Sequence, residues 1–164
     1  MPAKKLKDFL DAHKVKYVTL RHSIAYPASE IAASAHVKGR NLAKTVIVRL
    51  DGKLAMAVLP SKFRVNLERL RVASRSGSAE LSGEADFARE FPGCDEGAMP
   101  PFGNLYGMPV YVDPSLAEDE EIAFNACTHT EVIRMRYADW ERFVHPSVAS
   151  FAISEIEALR ESED

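Results

Sequence analysis

The chain has 164 residues, 46% of them apolar, and a formal charge of −3 from 21 lysines and arginines against 24 aspartates and glutamates. That length and apolar share suit one compact domain, and the mild acidity argues against a protein that coats nucleic acid by bulk charge, because such domains carry a strong basic excess. No window approaches the roughly 20 continuous apolar residues of a membrane span, and the opening MPAKKLKDFLDAHK lacks the apolar run of a signal peptide, so a cytoplasmic chain with no membrane association is expected.

Leu6, Phe9, Leu10 and His13 recur at helical spacing, so Pro2 to Lys14 is expected to form an amphipathic helix, followed by a strand at Tyr17 to Leu20. Ala28 to His36 follows Pro27 and places Ile31, Ala32 and Ala35 on one helical face before Gly39. Thr45 to Leu50 and Lys53 to Leu59 are two β-rich runs joined by Asp51-Gly52, the dipeptide that best supplies the two positive φ angles of a type I′ hairpin. Asn66 is placed to cap a short helix carrying Leu67 and Leu70, and Ser82 or a neighbour to start another through Phe87 and Phe91. Beyond a proline- and glycine-rich loop from Gly93 to Gly107, three strands are expected at Pro109–Val112, Glu121–Ala126 and Glu131–Arg136, then a helix at Asp139–Val144. Strands broken by helices without a βαβ rhythm point to an α+β domain with a mixed, curved sheet. Residues 1–152 are assigned to that domain and 153–164 to an acidic tail or a terminal helix.

The familiar catalytic signatures are missing: there is no GxSxG, Walker A, GxGxxG or HExxH, and the five histidines are scattered. No metal and no cofactor are expected. Cys94 and Cys127 supply neither a disulfide framework nor paired CxxC knuckles, so free thiols are expected. Lys44 stands immediately before the strand Thr45-Val46-Ile47-Val48, where the sheet would fix a compact positive charge suited to a phosphate or carboxylate; a solvated flank residue is the plainer reading. In Gly97-Ala98-Met99-Pro100-Pro101-Phe102-Gly103, two prolines fix the chain while two glycines permit close approach of backbone to a ligand, a loop able to aim N–H groups at a developing oxyanion or to serve only as a turn over Phe102. Cys127, His129 and Thr130 lie at the junction of two expected strands, where small and polar groups can leave room for a substrate and hydrogen-bond it; a satisfied turn histidine and a buried small cysteine are the structural alternatives. Lys62, Arg64, Arg69, Arg71 and Arg75 form a basic stretch that reads either as a contact for an anionic partner or as a solvated face.

Taken in this order and spacing, Asn41-Leu42-Ala43-Lys44-Thr45-Val46-Ile47-Val48, the Asp51-Gly52 hairpin, Leu59-Pro60 and the segment from Gly97 to Gly103 resemble the YbaK/ProX family of tRNA-editing deacylases, from about His22 to Phe143. The resemblance implies a partly barrel-like mixed sheet with surrounding helices, and hydrolysis of the ester of mischarged aminoacyl-tRNA. It implies aminoacyl-tRNA, through its 3′ end and acceptor stem, as partner, with an aminoacyl-tRNA synthetase as a further one. It assigns Lys44 to the terminal nucleotide's phosphate and the backbone of Gly97, Ala98, Met99, Pro100 and Pro101 to the carbonyl and the attacking water. Tyr26, Pro27 and Ile31 fall where relatives line the amino-acid pocket, and Thr45, Phe102, Gly103, Cys127, His129 and Thr130 are counted with the substrate-binding residues. Many relatives carry glycine at Cys127, so no relative's amino-acid preference is carried over. Two readings compete with this one: a catalytically silent tRNA- or synthetase-binding module, and a hydrolase of another activated acyl ester.

Overall fold

The computed structural model describes residues 3–21, 42–83, 89, 91–95 and 97–163, with the side chains of 161–163 not included. The hairpin organises the sheet. β2 (Leu42–Leu50) and β3 (Lys53–Pro60) pair antiparallel from Leu50↔Lys53 to Ala43↔Pro60. Asp51 and Gly52 have φ of 52° and 81°, the pair of positive angles a type I′ turn demands. The Asp51 carboxylate also accepts the amides of Gly77 and Ser78 at 2.8 and 3.0 Å, which brings β5 (Ala79–Leu81) against β2.

β1 (Tyr17–Arg21), β6 (Val110–Val112), β7 (Glu121–Asn125), β8 (Glu131–Arg136) and β9 (Ser147–Val148) complete an eight-stranded sheet in the order β1-β8-β7-β2-β3-β6-β9, with β5 also on β2. The sheet is mixed, since β7–β2, β3–β6 and β6–β9 are parallel and the other pairs antiparallel. β4 (Arg64–Val65) and β10 (Ala152–Ile153) form a separate two-stranded ladder. Burial of Ala55 through Pro60 on both faces marks β3 as the centre.

Helices cover both sides. Alternation along β2 sends Ala43 and Ile47 into a large cluster with Leu6 and Leu10 of α1 (Lys4–Ala12), Phe102, Phe124, and Trp140 of α4 (Tyr137–Val144). Val48 and Leu50 point the other way, to a smaller cluster with Leu70 of α2 (Leu67–Ala73) and Phe151. Asn66 caps α2 as its sequence requires, accepting the Arg69 amide at 2.9 Å. A four-residue helix α3 (Pro114–Ala117) is capped by Asp113, whose other oxygen takes the amides of Phe151 and Ala152 at 3.1 and 2.9 Å. The last segment is helical, α5 (Glu155–Glu163).

The helix expected from Ser82 or a neighbour through Phe87 and Phe91 runs mostly through residues outside the described ones; at its start, the Ser82 amide donates to the Ile47 carbonyl at 3.0 Å. Pro109 lies just outside β6, since it has no N–H for the ladder and contributes only its carbonyl, to the Met56 amide at 2.9 Å. The helix expected at Ala28 to His36 lies outside the described residues. Among the described residues no helix is long and apolar enough to cross a membrane.

Candidate functional site

The parallel pairing of β2 and β7 is short: it covers only Leu42↔Ala123 and Ala43↔Phe124. On the same edge of β2, β5 takes over at Val48. Between them no strand among the described residues pairs with Lys44, Thr45 or Val46 on that edge, so the sheet is split there. Such a split, at the carboxyl end of parallel strands, is the kind of place where ligands reach backbone and side chains together.

Lys44 and Thr45 stand on the β2 side of the split. The Lys44 side chain is half-buried, and its ammonium is held below the ordinary lysine value of 10.5, first by loss of water and second by the Arg64 guanidinium, with Glu155 acting in the opposite sense. Thr45 is 7% exposed, and its hydroxyl is buried without a hydrogen-bond partner among the described residues. A buried hydroxyl in that condition is costly unless something else satisfies it.

The β7 side is the turn that leaves Asn125. Ala126 donates to the Glu131 carbonyl at 3.0 Å, and Cys127 takes a left-handed φ of 67°. The Gly97–Pro101 loop is fastened to this turn by two backbone bonds: Asp95 N–H to the Cys127 carbonyl at 2.7 Å and Cys127 N–H to the Ala98 carbonyl at 2.9 Å. Gly97 has φ of 78°, and a side chain there would meet the His129 ring at 3.5 Å, so loop and turn touch through a glycine. The Ala98 amide is used internally, on the Asp95 carbonyl at 3.1 Å, whereas the amides of Gly97 and Met99 make no hydrogen bond among the described residues. Thr128 and Thr130 share a hydroxyl–hydroxyl bond at 3.2 Å beside His129.

The two residues that follow the loop are anchors. Phe102 is wholly buried, with ring centroids 5.5 Å from Phe124 and 6.3 Å from Phe9. A Cβ at Gly103 would fall 2.2 Å from the Met108 carbonyl oxygen, so only glycine fits there. The Phe102 side chain therefore faces protein, and Gly103 has no side chain to present.

The expectation of free thiols is overturned, because Cys94 and Cys127 form a disulfide. Separated by 33 residues in the chain, they are brought together by the same two backbone bonds that fasten the loop to the turn. The left-handed φ supplies the physical reason why glycine suits position 127. Under reducing conditions, Cys127→Gly is expected to be more stable than Cys127→Ala by about 1 kcal/mol, since only alanine must keep a Cβ in that conformation. Denaturant titration of the two variants measures the difference, and equal midpoints would show that the backbone relaxes.

Cys127 also lines a cleft of about 470 Å³ with Ala3, Lys4, Lys5, Asp8, Pro92 and Tyr106. Its cations are engaged, Lys4 with Asp8 at 2.7 Å and Lys5 over the Tyr106 ring at 4.8 Å.

The basic stretch is placed outside the core and is partnered. Lys62 lies over the Phe63 ring at 5.3 Å, Arg64 pairs with Glu155 at 3.0 Å, Arg69 with Glu157 at 3.7 Å, and Arg71 donates to Glu68 at 2.9 Å. Arg75 lies just past the Ser74 cap of α2, with φ of 58°, and is exposed. The acids of α5 were not connected with these cations by sequence reasoning, since 91 residues separate Arg64 from Glu155. Tyr26, Pro27 and Ile31 lie outside the described residues. Among the described residues no three His, Cys, Asp or Glu side chains converge to hold a metal.

Residues 22–143 match the family model described as an aminoacyl-tRNA editing domain. The chain is 32% identical over 130 residues to the multifunctional Ser/Thr-tRNA deacylase ProXp-y of Escherichia coli strain K12, which spans 75% of this chain and 74% of that one. The fold is similar to that of a crystallised candidate trans-editing enzyme for prolyl tRNA synthetase, with a TM-score of 0.78 at 18% identity over 93% of this chain and 97% of the other. It is also similar to the hypothetical protein APE2540, with a TM-score of 0.76 at 18% identity over 92% and 100% of the two chains.

Proposed function

The chain belongs to the aminoacyl-tRNA editing domain family and hydrolyses the ester bond of mischarged aminoacyl-tRNA; from that premise we propose that the split between β2 and β7 receives the aminoacylated 3′ end. The observation that carries this reading is the Gly97–Pro101 loop, pinned to the Cys127 turn with the Gly97 and Met99 amides unbonded among the described residues.

An aminoacyl ester is already activated, so hydrolysis needs orientation and oxyanion stabilisation more than a strong nucleophile. Lys44 holds the terminal phosphate as a point charge. The loop amides take the carbonyl oxygen as it gains charge, and Thr45 offers its unsatisfied hydroxyl to the bound end. Water adds to the carbonyl carbon, the bond to the ribose oxygen breaks, and that oxygen leaves with a proton. The neighbouring ribose hydroxyl is close enough in the substrate itself to help relay it. Cys127 supplies no nucleophile in this scheme, since water attacks the carbonyl directly.

Selectivity comes from the pocket beside the ester, with Tyr26, Pro27, Ile31, His129 and Thr130 as its proposed lining. One methylene is worth only about 1 to 3 kcal/mol, so a second sieve after the synthetase is the expected remedy. We place the reaction in the cytoplasm, where charged tRNA is used, and the synthetase that releases the mischarged tRNA is the proposed second partner.

A panel of tRNAs charged with serine, threonine, alanine and proline, incubated with the protein against the spontaneous rate, tests the proposal. At least one ester is expected to disappear faster with enzyme. Turnover of small acyl esters with none of the charged tRNAs would assign the site to another hydrolase, and tRNA binding without hydrolysis to a silent module.

A further inference from the structure

We propose that Trp140 is a positioning residue for the deacylation, setting the oxyanion loop through one buried hydrogen bond; the inference rests on the loop's role in the proposed mechanism. Trp140 lies on α4, is 0% exposed, and its indole Nε1–H donates to the Pro101 carbonyl at 2.9 Å across 39 residues.

An indole carries a single donor and no acceptor, so a buried tryptophan needs one partner in one direction. Here that partner is the last residue of the loop. Pro100 and Pro101 have no N–H, so neither can act as a donor; the Phe102 amide holds the Pro100 carbonyl at 2.8 Å, which leaves the Pro101 carbonyl to Trp140. The loop's leading end is fastened by the Asp95–Cys127 and Cys127–Ala98 backbone bonds. Its trailing end is held by Phe102 in the aromatic core and by Trp140 on the Pro101 carbonyl. Met99, whose amide is unbonded among the described residues, sits between these two fastenings.

α4 is itself rigidly placed. It follows β8 without a loop, Tyr137 N–H donates to the Glu120 carbonyl at 2.9 Å, and the Tyr137 and Trp140 rings lie 5.3 Å apart. Removing the indole N–H would leave the Pro101 carbonyl buried and unsatisfied, and the cheapest relief is a shift of the loop. Oxyanion donors act through placement, so such a shift acts on the chemical step and leaves tRNA affinity untouched.

The chain has one tryptophan, so biosynthetic replacement by the benzothiophene isostere changes this position alone. The isostere and Trp140→Phe are each compared with wild type in single-turnover deacylation, tRNA binding and hydrogen exchange at Ala98 and Met99. Tyr137→Phe serves as the packing control. The chemical rate is expected to fall about tenfold with tRNA affinity within twofold, while Tyr137→Phe keeps the wild-type rate. Exchange at Ala98 and Met99 is expected to quicken in both Trp140 substitutions.

A rate within twofold in the isostere overturns the proposal and leaves Trp140 as core packing. Parallel loss of rate and affinity overturns it too. If Trp140→Phe does not fold, the isostere decides. If wild type deacylates nothing in the panel, the mechanism fails separately, and unchanged exchange at Ala98 and Met99 would then overturn the anchor while faster exchange would uphold it.

Discussion

Lys44→Ala is expected to lower the single-turnover deacylation rate by about a hundredfold while the chain stays folded, because the ammonium's proposed work is to hold one phosphate in register with the ester. The Lys44 ammonium enters no hydrogen bond or ion pair among the described residues, so its removal leaves no buried partner stranded. A rate within twofold of wild type would end the assignment. Lys44→Arg is expected to be impaired as well, since a planar fork does not replace a compact ammonium between two strands.

The pH dependence has a definite sign. Burial and the Arg64 charge hold Lys44 below 10.5, so the ammonium and the activity that needs it are lost on the alkaline side earlier than for an exposed lysine. Between the folded and unfolded values the unfolded chain binds more protons, so stability rises with pH across that window. Below it, the cost of the buried charge is fully present. Lys44→Met is therefore expected to melt higher than wild type at neutral pH while losing activity, and to lack the alkaline rise in stability. Melting curves between neutral pH and pH 10 check this, and a lower Tm for the methionine variant would mean that Lys44 stabilises the fold through a contact of its own.

Elements with strong local signals were legible in the sequence. Asp51-Gly52 specified its turn because few residue pairs accept two positive φ angles, and Asn66 specified its cap by a side-chain bond to a neighbour three residues on. β4, β5, β9, β10 and α3 were not anticipated, since each has two to four residues and exists by long-range pairing. β5 depends on the Asp51 carboxylate reaching Gly77, and β10 on Asp113 reaching Phe151 and Ala152.

The candidate site divides in the same way. Lys44 and the Gly97–Pro101 loop were noticed because residue type alone restricts what they can do. The split between β2 and β7, the disulfide of Cys94 with Cys127, and the indole bond from Trp140 to Pro101 are products of topology. No local pattern announces which strand leaves its neighbour after two pairs, or which carbonyl a tryptophan 39 residues away will meet.

Neutralising Arg69, Arg71 and Arg75 together is expected to weaken tRNA binding about tenfold or more at moderate salt and to reduce the slope of log affinity against log salt by about 2 to 3, since fewer phosphate contacts release fewer counterions. The choice of amino acid should barely move, because phosphate contacts position the nucleic acid while the pocket reads the side chain. The ion pairs with α5 sharpen the test. Arg64 and Arg69 face Glu155 and Glu157 across exposed pairs, which contribute little to stability and yield readily to a polyanion. Glu155→Gln with Glu157→Gln is therefore expected to leave Tm nearly unchanged yet tighten tRNA binding several-fold and steepen its salt dependence. Opposite signs from the two sets of substitutions would fix the α2 face as the acceptor-stem contact, with α5 as the acidic competitor it displaces. If the arginine variant binds like wild type at several salt concentrations, the stretch is a solvated face whose charges are spent on Glu68, Glu155 and Glu157.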